Sequence, residues 1–100
     1  MPKLALLARL QAKPGQETAL QQFLENALPL ANAESATPVW FALKMGASTF
    51  GIFDAFADES GRQAHLDGAI AAALMANAAN LLSEPPVIEK VEVLAAKLPG

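Results

Sequence analysis

The sequence contains no cysteine and no tyrosine, and only one histidine and one tryptophan among its 100 residues. Without cysteine, disulfides and thiolate metal sites are excluded outright. Charge is scarce as well: Asp, Glu, Lys and Arg make up 17% of the chain, against ~25% in an average soluble domain. The seven basic residues are scattered and the net charge is −3, so nucleic acid is not an expected partner. No glycine-rich loop follows a strand-like run, which argues against a nucleotide cofactor. No His–carboxylate cluster has metal-ligand spacing, so no metal and no cofactor of any kind are expected. The apolar opening LALLARL is interrupted by Arg9, and nothing approaches the ~18 apolar residues of a membrane span. Neither a signal peptide nor a membrane partner is expected, and the cytoplasm is the default location.

What the chain does have is apolar character, at 53% of residues, in a length suited to one domain spanning residues 1–100. With so little charge, a monomer would leave much apolar surface uncovered. Residues 3–11 (KLALLARLQ) form a short run ended by Lys13-Pro14-Gly15 and read as a strand. From 16 to about 32, Leu20, Phe23, Leu24, Ala27, Leu28 and Ala31 fall on one helical stripe, and Pro29 must kink or end that helix. Residues 39–45 (VWFALKM) and 49–56 (TFGIFDAF) read as a hairpin. Asp58-Glu59-Ser60 then opens a second helix running to about Leu82, broken or tightened at Gly68. Residues 87–98 (VIEKVEVLAAKL) read as the last strand. The order β-α-β-β-α-β predicts an α+β, ferredoxin-like fold with a four-stranded antiparallel sheet.

Strand residues alternate between the two faces of a sheet. Here both faces are apolar: Phe50, Ile52 and Phe56 lie on one side of the third strand, and Phe53 and Ala55 on the other. Two helices cover one face only. The other is expected to meet a second copy of the chain, giving a homodimer through sheet faces.

Several pieces together resemble the antibiotic biosynthesis monooxygenase family of the dimeric α+β barrel superfamily. They are Arg9-Leu10-Gln11-Ala12-Lys13-Pro14-Gly15 with Glu17, the pair Trp40-Phe41, Phe53-Asp54-Ala55-Phe56, Ala64-His65-Leu66, and Glu84-Pro85-Pro86 before the last strand. The resemblance implies a homodimer and a pocket between helices and sheet. In that family some members oxidise polycyclic phenols with oxygen and no cofactor, and others degrade haem. The chain departs from the family pattern at Gly68-Ala69-Ile70, where members often carry Ser-Pro-His. It also has no histidine from Ala71 to Met75 for a haem iron, so haem degradation is not expected.

Three residues are candidates for chemistry. His65 is the one side chain that titrates near neutral pH without perturbation; it reads as a base or hydrogen-bond donor to a phenol oxygen, or as a packed histidine with both nitrogens satisfied. Asp54 is a carboxylate in an otherwise apolar strand and needs a partner. That partner is His65 in an acid/base pair, or Arg9 or Arg62 in a structural ion pair, which is the preferred reading. Trp40 offers a flat surface for an aromatic ring or a core anchor. Phe41, Phe53 and Phe56, with Ala69 and Ala72, are the expected pocket lining. The function that the family resemblance implies for these residues is a cofactor-independent monooxygenase acting on a small phenol or hydroquinone. The alternative is a non-catalytic dimeric module that binds a small apolar ligand or serves a stress response.

Overall fold

The computed structural model describes residues 2–99. Four strands, β1 (Leu4–Gln11), β2 (Val39–Lys44), β3 (Thr49–Phe56) and β4 (Val87–Glu92), form one sheet in the order β2-β3-β1-β4. Every pairing is antiparallel. This is the ferredoxin-like arrangement that the order of sequence elements predicts. β1 lies at the centre, paired residue for residue with β3 from Leu4↔Phe56 to Gln11↔Thr49.

The first helical stripe is split in two, α1 (Glu17–Asn26) and α2 (Leu28–Ala33). Pro29 sits in the first turn of α2, where a missing N–H costs nothing. The second helical region also breaks, into α3 (Glu59–Leu66) and α4 (Ala69–Leu81), with Gly68 as the residue before α4. Asp58 caps α3, its Oδ1 accepting from the Gly61 N–H at 2.9 Å.

All four helices pack on one sheet face. Leu10, Phe50 and Ile52 from the sheet meet Leu20, Leu24 and Leu74 from the helices in the main core. Ala27, Ala31 and Ile70 form a smaller cluster, and Trp40 touches both. Phe50, Phe56, Leu10 and Leu20 are essentially inaccessible to solvent.

The last strand is shorter than its sequence suggests. β4 ends at Glu92. The Val93 N–H still donates to the Lys3 carbonyl at 2.9 Å, but β1 begins at Leu4, so the residues beyond have no strand left to pair with. Leu94 is accordingly 92% exposed. Residues 93 and 95–98 instead line a pocket of about 160 Å³ with Val39, Phe53 and Ala55. No helix among the described residues is long and apolar enough to cross a membrane.

Candidate functional site

Strand parity decides which candidates can meet. Asp54 pairs across β2–β3 with Trp40, so both point to the helix side. Their neighbours Phe41 and Phe53 pair with each other and point away, onto the uncovered face. This corrects the expectation that Phe41 and Phe53 line a helix-side pocket; Phe41 is 53% exposed and Phe53 abuts the C-terminal segment.

The one histidine lies over Asp54. His65 Nε2 is 2.9 Å from Asp54 Oδ2, and its Nδ1 is 2.6 Å from Glu34 Oε1. Both acids are therefore strung on opposite edges of one imidazole, beside the Phe56 ring at 5.4 Å between centroids. His65 is 7% exposed and Asp54 1%. Burial alone disfavours the imidazolium, but hydrogen bonds and charge attraction from Asp54 and Glu34 outweigh it and raise the His65 pKa to about 9. At neutral pH the ring is a cation held between two carboxylates.

The Asp54–His65 contact overturns the structural pairing of Asp54 with an arginine. Arg9 forms an exposed ion pair with Glu89 on the edge strand. Arg62 is buried but turns to the Ala5 and Val91 carbonyls, at 3.2 and 3.4 Å, and pairs with Glu59.

Glu34 is the residue that reading the sequence did not single out. It follows α2 in the loop to β2, and Thr37 steadies it by donating to Oε1 at 2.8 Å. The loop can sit against α3 because residue 61 is glycine: a Cβ there would lie 3.1 Å from the Ala36 carbonyl oxygen. No periodicity marks a loop carboxylate 31 residues from its histidine, and its only sequence signal is an acid among small residues.

His65 separates two spaces of unequal size. Outward lies an open cleft of about 350 Å³, whose walls include Leu30, Glu34, Thr37, His65, Gly68 and Ala69. Inward, between α4 and the sheet, only about 40 Å³ remains, bounded by Asp54, His65, Ile70 and Leu74 among others. That inner space cannot hold an aromatic ring. Ala69 thus lines the outer cleft, and Phe56 packs beneath His65. Ala72 is exposed and lines none of the described cavities, because it faces away from the sheet on α4. Trp40 lines neither space; it is a core residue with a buried indole N–H that has no partner among the described residues. The free oxygens Glu34 Oε2 and Asp54 Oδ1 likewise lack a partner there. Among the described residues no three His, Asp or Glu side chains converge as a metal site.

The fold is shared with solved proteins of a recognisable class. A "Putative antibiotic biosynthesis monooxygenase" from Nitrosomonas europaea superimposes with a TM-score of 0.81 at 14% identity, over 92% of this chain and 90% of that one. One of the same description from Caulobacter crescentus gives 0.79 at 14% identity, over 94% and 92%. The resemblance read from the sequence thus holds at the level of fold. Much nearer is the NE2512 protein of unknown function from Nitrosomonas europaea, 77% identical over 100% of this chain and 97% of that one, with a TM-score of 0.98. The chain belongs to the family of that protein. No family model matches the chain, and no curated protein matches it significantly.

Proposed function

We propose that this chain is a cofactor-independent oxygenase for a small phenol or hydroquinone, acting as a homodimer. The observation that carries the reading is the Asp54–His65–Glu34 line, which ends at the wall of a cleft large enough for a single aromatic ring.

The chemistry needs no redox group from the protein. Hydroquinone and O2 give hydroxyquinone and water: one oxygen atom enters the ring and the other leaves as water. The ring supplies all four electrons. The protein's task is to bind the ring and take the hydroxyl proton, because the phenolate gives up electrons far more readily than the phenol. Glu34, which lines the cleft, is the group that accepts that proton. Two carboxylates and one imidazolium make a net charge of −1, so protonating Glu34 neutralises the line while the charge moves to the substrate oxygen. The α4 N-terminus has no side-chain cap, and its free N–H groups favour an anion beside Gly68. His65 has both nitrogens engaged and acts as a positioning residue that holds the two acids.

Oxygen uptake with a hydroquinone panel tests the reading. Replacing the base, Glu34→Gln, is expected to slow uptake by roughly a hundredfold or more. The wild-type rate is expected to fall as pH rises through about 9, where His65 gives up its proton, and the His65→Gln rate to lack that alkaline limb. Uptake no faster than autoxidation in buffer, or a Glu34→Gln rate equal to wild type, would overturn it.

A second reading, a non-catalytic ligand-binding module, is favoured by one observation: α4 packs so closely on the sheet that only about 40 Å³ is left between them. Ligand binding without oxygen uptake across the panel would select it.

The dimer is proposed through the sheet face that the helices leave uncovered, where Leu7, Phe41, Leu43 and Val87 present apolar side chains around the Arg9–Glu89 ion pair.

A further inference from the structure

The sheet face that the helices leave open is not level. The chain beyond β4 lies across one end of it, where residues 93 and 95–98 border the pocket of about 160 Å³ with Val39, Phe53 and Ala55. That pocket shows that the segment does not pack flush on its own sheet. Past the Val93 N–H, no backbone hydrogen bond among the described residues holds 94–98 in place. Leu94 stands almost wholly in solvent and Leu98 is half-exposed. The other end of the face carries no such cover. There Leu7, Phe41, Leu43 and Val87 form a bare apolar floor around the Arg9–Glu89 pair, whose charges cancel. The face is thus a ridge at one end and a floor at the other, both apolar.

We propose that residues 93–98 are the ridge of a self-complementary interface, in which the Leu94 and Leu98 side chains of each copy rest on the bare floor of a second copy. The inference rests on the sheet-face homodimer proposed above and names the element that completes it. Area is the first argument. The strands are six to eight residues long, so four of them, ~4.8 Å apart at ~3.3 Å per residue, span roughly 400 Å². The ridge covers one end of that, and a stable pair buries about 800 Å² on each partner. The floor alone is too small, and the outer surface of the ridge must be part of the contact. Symmetry is the second argument, because a two-fold interface pairs each patch with its complement. A two-fold axis lying between the sheets and perpendicular to the strands sets each ridge over the partner's floor. An axis along the strands would stack ridge on ridge and hold the two floors apart, leaving them wet.

Two measurements on the full chain test this. In sedimentation, Leu94→Asp is expected to raise the dimer dissociation constant at least about tenfold, since it loses a buried leucine and adds a charge to be buried. Leu94 touches so little of its own chain that the circular dichroism spectrum is expected to stay unchanged. The second measurement uses the absence of cysteine. A spin label on Leu94→Cys is the one label in the molecule, and labelled protein is mixed with isotope-labelled wild type. The label is expected to broaden the amide signals of Leu7, Phe41, Leu43 and Val87 in the unlabelled partner more than those of its residues 93–98. Broadening strongest at the partner's residues 93–98 would mean ridge on ridge and overturn the proposal. A dimer that Phe41→Glu splits but Leu94→Asp leaves intact would keep the sheet-face dimer and refute the ridge alone. Wild type that sediments as a monomer at NMR concentration would refute both.

Discussion

The buried cation between two acids makes stability depend on pH in a defined direction. His65 titrates at 6.5 in an unstructured chain and at about 9 in the folded one. A group whose folded pKa is raised adds stability that is fully present below its unfolded pKa and is lost as pH rises through its folded pKa. The contribution is therefore complete below pH 6.5 and gone above about pH 9. A tenfold change in proton affinity is worth about 1.4 kcal/mol, which puts the whole contribution on the order of 3 kcal/mol. That is a large part of the ~5–15 kcal/mol by which a small domain is stable. Two properties of the sequence make the measurement clean. The lone histidine gives one imidazole signal for an NMR titration, and the lone tryptophan, packed against both core clusters, reports urea unfolding by fluorescence. Unfolding free energies at pH 6 and pH 9.5 are compared between wild type and His65→Gln, so that lysines and other groups titrating in that range cancel. Wild type is expected to lose about 3 kcal/mol more than the variant over this interval. Either Asp54→Asn or Glu34→Gln is expected to pull the histidine pKa downward. An imidazole that titrates at or below 6.5, or parallel pH slopes in the two proteins, would refute the charge assignment.

Other outcomes follow from single contacts. Gly51→Ala would place a Cβ 2.8 Å from Met45 Sδ and 3.0 Å from the Ala8 carbonyl; the methionine can move but the central strand cannot, so a loss of about 1–3 kcal/mol in thermal or chemical denaturation is expected. Asp58→Ala removes the α3 cap and is expected to cost about 1 kcal/mol by the same measurement. Phe41→Glu sets a charge on the uncovered sheet face and is expected to turn a dimer into a monomer in sedimentation, with the circular dichroism spectrum unchanged.

Much of the fold was legible in the sequence because it depends on period and punctuation. Pro29 and Gly68 mark the two helix breaks, and the alternation of β3 puts Asp54 on the face where His65 arrives. The end of β4 was not legible, since Val93 to Leu98 is as strand-like as what precedes it; the partner strand simply runs out at Lys3. Of the site, Asp54 and His65 stood out as a lone acid in an apolar strand and a lone histidine. Glu34 did not, because a loop has no period and its approach depends on Gly61 and Thr37, which matter only once the loop is docked. Of the two readings open for Trp40, a flat surface for an aromatic ring or a core anchor, the structure uses it as core.

The Asp54–His65–Glu34 line also constrains how this sequence can drift. Losing the histidine alone strands two carboxylates where the described residues place no other cation against them, and losing either acid leaves the imidazole half-compensated. Breaking a buried ion pair costs far more than replacing all of it with well-packed apolar side chains, and such effects are not additive. The three positions thus behave as one heritable unit spread over β3, α3 and a loop. Descendants of this chain should keep all three residues or exchange them together, and a lineage caught with one missing should be unstable rather than merely inactive.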